Sequence, residues 1–108
     1  SFGLTVDFTF HKTIFSLLAV YRTHDSNKDI FIEELDRFYE RKTKDKTYIF
    51  LGDINIDILQ NNLHVDRYLN TLCGHGFVNC INLPTRVTDD SRTCIDHVFV
   101  DHNDFDKV

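Results

Sequence analysis

Asp53 and Asn55 stand two residues apart at the end of the apolar run Tyr48-Ile49-Phe50-Leu51-Gly52. A short apolar run of this kind reads as a buried strand. Residues i and i+2 of a strand point to the same side, so the acid and the amide are expected to project together from the strand's end. Open α/β sheets place their ligands at such strand ends. A carboxylate there can bind a metal or orient a water, and an amide beside it can hold a phosphate oxygen without adding charge. The combination suits metal-assisted phosphoester hydrolysis. Asp57, two residues further on, reads as a cap on the turn after the strand.

A second acid, Asp96, lies within the apolar segment 93–100. Period two puts it on one face with Cys94 and Val98, and puts Ile95, His97 and Phe99 on the other. Both faces are mostly apolar, so an unpaired carboxylate there would be costly. Asp96 needs a partner: a metal, a histidine, an arginine or a backbone amide. A salt bridge or an exposed strand end would also satisfy it. His97 points away from Asp96 along a strand and reads as a packed or surface histidine. Tyr21-Arg22 closes another apolar run, so both could face the rim that carries Asp53. Arg86 and Arg92 fall in a loop, where either could meet phosphate or simply face water.

The elements that must position these residues follow from pattern. Leu4–Phe10 alternates apolar and polar residues, as a half-buried strand does. Thr13–Tyr21 reads as a buried strand. Ser26-Asn27-Lys28-Asp29 fits a capping box. The helix that follows carries Phe31, Leu35 and Phe38 at i, i+4 and i+7, and it ends in the polar run Arg41-Lys42-Thr43-Lys44-Asp45-Lys46, where cations suit a helix C-terminus. The core strand at residues 48–51 comes next. Val65, Tyr68, Leu69 and Leu72 mark a second helix, which Gly74 or Gly76 can stop in the left-handed conformation. Residues 77–81 form a short strand, 83–92 a loop with turn residues, and 93–100 a final strand. The order β-β-α-β-α-β-β is mixed α/β.

At 108 residues the chain is one domain or a piece of one. It starts at Ser1 rather than Met and ends without a stop signal, so both ends read as cut. No apolar run approaches the roughly 20 residues of a membrane span, and no signal peptide is visible. Cys73, Cys80 and Cys94 are odd in number and lack CxxC spacing, which suits reduced thiols in an intracellular chain better than a zinc site with His75 or His97. The net charge of −5 argues against a broad nucleic-acid footprint on this chain, although carboxylates clustered around a divalent ion would lower the charge of a nuclease too.

Three blocks, taken in order, resemble the endonuclease/exonuclease/phosphatase superfamily, and most of all the apurinic-type endonuclease domain of non-LTR retrotransposons. Leu18-Ala19-Val20-Tyr21-Arg22 resembles a strand ending in Tyr-Arg-Pro, with Thr23 in place of proline. Phe50-Leu51-Gly52-Asp53-Ile54-Asn55-Ile56-Asp57 resembles a Gly-Asp-Phe-Asn-Ile-Asp core, with Ile54 in place of phenylalanine. Pro84-Thr85-Arg86-Val87-Thr88, then Ser91, Thr93 and Ile95-Asp96-His97-Val98-Phe99, resembles a block reading Pro-Thr-Arg, a short loop, and Ile-Asp-His/Asn-Ile-Phe.

The resemblance implies part of a four-layered α/β sandwich with mixed, largely antiparallel sheets. Residues 1–108 would be a central to C-terminal portion of that domain. It implies a magnesium-dependent enzyme, with manganese as a substitute ion, that nicks DNA within a polyprotein carrying a downstream reverse transcriptase, and so works in the nucleus. Asp53 would orient or deprotonate the attacking water and contribute to a metal site. Asn55 would hold the scissile phosphate, with Tyr21 near it and Arg22 and Arg86 binding substrate. Asp96 would support a catalytic histidine.

The family's metal-binding glutamate lies in an N-terminal block and its catalytic histidine in a Ser-Asp-His block. Asp96-His97 does not match the latter, because Ile95 precedes it and the strand continues. The chain alone is therefore expected to be inactive. Two other readings stay open. One is a phosphoesterase of the same superfamily acting on phospholipid or inositol phosphate. The other is a catalytically incomplete remnant or binding module.

Overall fold

Strand β1 (Leu4–Phe10) turns back into β2 (Thr13–Tyr21) through His11 and Lys12, both at positive φ. Positive φ at both loop residues matches a two-residue connection to the right-handed twist of the flanking strands. In the computed structural model the described residues are 3–23, 25–81, 86–87 and 92–101. Helix α1 (Lys28–Tyr39) carries the chain across to β3 (Lys46–Asp53), which lies parallel to β2. Helix α2 (Leu63–Gly74) then leads to β4 (Phe77–Asn79), a two-residue ribbon of β5 (Arg86–Val87) with β6 (Arg92–Thr93), and β7 (Asp96–Asp101). The main sheet has the order β1-β2-β3-β7-β4. Only the β2/β3 pair is parallel, so the sheet is mixed and largely antiparallel, as expected.

Both helices pack on one face of this sheet. Leu18, Val20, Phe50 and Phe99 meet Phe31, Ile32, Leu35 and Tyr39 of α1 and Val65, Tyr68 and Leu72 of α2. Phe50 and Leu35 are completely buried. Burial of a side chain of this size contributes about 1.5–3 kcal/mol.

The opposite face is also apolar. Residues directly opposite on neighbouring strands share a face. One row therefore runs Val78, Val100, Ile49, Leu17, Val6 across five strands, and a second runs Val98, Leu51, Ala19, Leu4. The β1 end of this face is open, with Leu4 68% and Phe10 61% exposed. Leu4–Phe10 is thus an edge strand exposed throughout rather than half-buried, because its apolar side points away from both helices.

Several expected boundaries shift, each for a local reason. The N-cap of α1 is Asn27, whose side chain accepts from Asp29 N and Ile30 N; Ser26 is held instead by Arg22. Tyr39 rather than Phe38 completes the buried stripe of α1, since the stripe drifts to i+8. Gly76, at φ +88°, supplies the left-handed stop after α2. The segment expected as one strand from 93 to 100 is broken at Cys94 and Ile95, whose backbone groups bind the loop after β3 instead. Part of the expected 83–92 loop pairs as the β5/β6 ribbon, while Pro84, Thr85, Thr88 and Ser91 lie outside the described residues.

Candidate active site at the end of the central strands

Tyr21, Asp53 and Asp96 occupy one cross-strand row. Tyr21 is the partner of Asp53 across β2/β3, and Asp53 is the partner of Asp96 across β3/β7. All three belong to the face away from the helices, at the end where β2 and β3 finish. Tyr21 is 70% exposed, whereas Asp53 and Asp96 are half-buried. Two carboxylates on neighbouring strands make a local concentration of negative charge, which favours a cation.

Close approach of β2 and β3 at this point depends on Gly52. A Cβ there would lie 1.8 Å from the Val20 carbonyl oxygen, and the backbone φ of +155° is one that residues with side chains rarely adopt. The glycine before Asp53 is therefore a geometric requirement of the row.

Asn55 reaches the site differently from the expected strand alternation. Strand β3 ends at Asp53, and Asn55 sits at φ +56°, in the left-handed region. Asn tolerates that region better than most residues, because its short amide can bond locally. Here Asn55 Nδ2 donates to the Arg22 carbonyl at 2.5 Å.

Arg22 is the counterpart of that bond. It is only 4% exposed, and its guanidinium donates to the carbonyls of Ile54 (2.6 Å) and Asn55 (2.8 Å) and to the Ser26 carbonyl and hydroxyl (2.8 and 2.7 Å). Its backbone N–H donates to the Asp53 carbonyl at 2.9 Å. Arg22 thus clamps the Asp53-Ile54-Asn55 turn. Burial lowers its pKa, and the Asp25 carboxylate opposes that shift. A guanidinium titrates so high that it stays charged. Period two contains the signal for this role: Arg22 shares the helix-side parity of Leu18 and Val20, opposite to Tyr21.

The loop after Asn55 is laid on the chain just before Asp96. Ile54 N donates to Ile95 O (2.7 Å) and Ile58 N to Cys94 O (3.1 Å). Asp57 caps its turn as expected, accepting from Leu59 N at 3.1 Å, and also accepts from Cys94 N at 2.9 Å. On the helix side His97 is buried and bonded to Tyr68 and to Cys94 O. Burial pushes its pKa down, against the opposing pull of the Cys94 and Ile56 carbonyls and of Asp96 and Asp53. Arg86 lies in the β5/β6 ribbon, away from the main sheet's strand order, and Arg92 is exposed in the same ribbon.

The donor set fits a divalent ion only in part. Asp53 and Asp96 offer hard carboxylate oxygens, the kind magnesium uses together with substrate phosphate and water. Among the described residues no group of three or more His, Cys, Asp or Glu side chains could hold a metal ion. No described helix is long and apolar enough to cross a membrane.

This architecture, a five-stranded mixed sheet with helices on one face, matches part of the α/β sandwich fold of endonuclease/exonuclease/phosphatase proteins. Among solved structures, the chain is similar to the endonuclease domain of TRAS1, a telomere-specific non-LTR retrotransposon. The TM-score is 0.76 at 18% identity, over 95% of this chain and 52% of that one. It is also similar to an endonuclease/exonuclease/phosphatase family protein from Leptotrichia buccalis, with a TM-score of 0.59 at 15% identity over 90% of this chain and 41% of the other. The chain spans about half the length of these structures. No family model matches the chain, and no curated protein matches its sequence.

Proposed function

We propose that this chain is part of a divalent-metal-dependent endonuclease that hydrolyses DNA phosphodiester bonds, the target-nicking portion of a non-LTR retrotransposon polyprotein. The observation that carries the reading is the row of Tyr21, Asp53 and Asp96, with Asn55 clamped just beyond it. That placement supports the roles the motifs imply. Asp53 orients or deprotonates the attacking water and would lend an oxygen to a bound magnesium ion. Asn55 holds the scissile phosphate, Tyr21 lies beside it, and Asp96 orients a histidine. When bound, the metal supplies Lewis-acid stabilisation of charge developing on phosphate.

Arg22 enters chiefly as a support for Asn55, since four of its five N–H donors serve the Ile54, Asn55 and Ser26 oxygens. Arg86 remains a candidate phosphate contact. DNA is the proposed substrate, a reverse transcriptase in the same polyprotein the proposed partner, and the nucleus the proposed place of work. The fold likeness to the TRAS1 endonuclease domain supports the choice of DNA over other phosphoesters.

The test is a nicking assay on supercoiled plasmid in magnesium, using the protein of the complete reading frame that contains this chain, with phospholipid and inositol phosphate as competing substrates. Nicking that is lost in Asp53→Ala is the expected result. Turnover of phospholipid or inositol phosphate with intact plasmid would overturn the choice of substrate. The chain by itself is expected to bind magnesium weakly, because two carboxylates are a partial ligand set; stoichiometric tight binding by calorimetry would contradict that.

A further inference from the structure

A buried polar pair, Tyr68 of α2 and His97 of β7, sits directly behind the candidate site, and the roles above leave it unused. Both side chains are at most 1% exposed. Tyr68 Oη and His97 Nδ1 are 2.7 Å apart, and His97 Nε2 is 2.9 Å from the Cys94 carbonyl oxygen. A carbonyl only accepts, so Nε2 carries the proton. In the neutral ring Nδ1 then accepts from the Tyr68 hydroxyl. The two rings lie 5.3 Å apart between centroids, and Tyr68 meets Phe99 edge-on at 5.9 Å. The imidazole therefore has a fixed position and a fixed tautomer.

Its place in the sheet gives that rigidity a use. His97 is the cross-strand partner of Gly52, one residue before Asp53, and it immediately follows Asp96. The carbonyl it grips, Cys94 O, also receives Ile58 N, while the next carbonyl, Ile95 O, receives Ile54 N. The turn before Asp96 is thus the bed on which the loop carrying Asn55 lies, and His97 is the side chain that fixes that turn to α2.

We infer that His97, oriented by Tyr68, is a positioning residue. By holding the Cys94 carbonyl it sets the spacing of Asp53 and Asp96 and seats Asn55. His97 takes no part in proton transfer at the site, because its ring faces the helices while the two acids belong to the other face. The inference rests on the proposed endonuclease function for its catalytic consequence, but not for its structural one.

The experiment has two arms that fail separately. In this chain, amide exchange is followed at Ile54, Ile58 and Cys94 in His97→Leu, Tyr68→Phe and His97→Gln. Glutamine can donate to Cys94 O and accept from Tyr68, so it preserves the pattern. Loss of one buried hydrogen bond predicts about tenfold faster exchange at those amides in His97→Leu and Tyr68→Phe, and near-native protection in His97→Gln. Tyr68→Phe keeps the ring packing, and it decides the question if His97→Leu does not fold. In the complete-frame enzyme, a small misplacement of the reacting groups predicts a kcat loss of about 100-fold for His97→Leu with little change in KM. His97→Gln restores most of that loss.

Unchanged protection at Ile54 and Ile58, acceleration spread equally over β1 and β2, or a His97→Gln enzyme as impaired as His97→Leu would each overturn the inference. A wild-type complete protein that nicks nothing would sink the functional reading while leaving the exchange result decisive for positioning.

Discussion

The two ends of the sheet are each fastened by a largely buried cation, and the two fastenings differ in charge. At the far end, Lys42 Nζ bonds Asp101 Oδ2 at 2.5 Å and the His75 carbonyl at 2.6 Å, tying the end of α1 to the end of α2 and to β7. Its charge is matched by a carboxylate on the spot. At the site end, Arg22 bonds four neutral oxygens, on Ile54, Asn55 and Ser26. Among the described residues, the carboxylate that acts on it appreciably is Asp25, and it does so through space. One end is closed electrostatically; the other keeps a positive charge beneath the turn where an anionic phosphate is proposed to bind. The fold holds itself together with either device, by a charge pair at one end and by carbonyl and hydroxyl oxygens at the other.

The largest effect expected from breaking this contrast is on catalysis. In the complete-frame protein, Asp53→Ala removes the group proposed to stand beside the attacking water and is expected to cost at least about 100- to 1000-fold in kcat. Asp101→Asn at the far end leaves kcat within a few-fold of wild type. Plasmid-nicking kinetics of both variants check this; equal losses would mean that the two ends are not functionally distinct.

Next comes stability. Lys42→Met strips the cation from a nearly buried carboxylate and is expected to cost about 3 kcal/mol, which adding Asp101→Asn recovers in part. Arg22→Met leaves several carbonyls short of donors and is expected to cost a similar amount, about 3 kcal/mol. No single acid substitution is expected to rescue it, because among the described residues its bonds go to carbonyl and hydroxyl oxygens. Urea denaturation of the two double-mutant series distinguishes them.

Asn55 sharpens the comparison on a smaller scale. Asn55→Gly keeps the left-handed turn and is expected to change stability by less than about 1 kcal/mol, while Asn55→Ala is expected to cost about 1–2 kcal/mol. Both variants should lose nicking alike if the amide itself holds phosphate. Denaturation midpoints and activity, measured together, separate backbone from side chain.

The smallest effect concerns pH. His97 has its pKa held below the ordinary 6.5 by burial, so the fold prefers the neutral ring. The unfolded chain then binds more protons than the folded one just below pH 6.5. The stability contributed by the neutral ring is fully present above that pH and declines as pH falls through it, by at most about 1.4 kcal/mol per pH unit. His97→Gln should flatten this slope, as read from denaturation midpoints between pH 7 and 5.

Much of this was legible in the sequence because apolar alternation is a direct image of strand faces. Alternation put Asp96 on one face with Val98, and the strand register, which no local pattern shows, sets it in a row with Asp53 and Tyr21. The pattern failed where the backbone leaves the strand. Asn55 was read by alternation, yet β3 ends at Asp53 and Asn55 turns left-handed under the pull of Arg22, a contact between residues far apart in the chain. Residues 93–100 read as one strand because nothing local shows that Cys94 and Ile95 bond the loop after Asp53. His97 was read as a packed or surface histidine; it is packed, and its bonds to Tyr68 and to the Cys94 carbonyl, both set by the tertiary fold, are not visible in a local pattern. The exposure of Leu4–Phe10 was not readable either, since alternation shows that a strand has an apolar side and not what covers it.

That apolar side has a practical consequence. Among the described residues, a sheet coated with helices on one face and bare of them on the other, with the rows from Val78 to Val6 and from Val98 to Leu4 on the bare face, is one half of a sandwich in the literal sense. The hydrophobic attraction that joins two such halves requires no peptide bond between them. Burial alone is then enough to hold a second apolar sheet face there, whether it comes from the same polypeptide or from another.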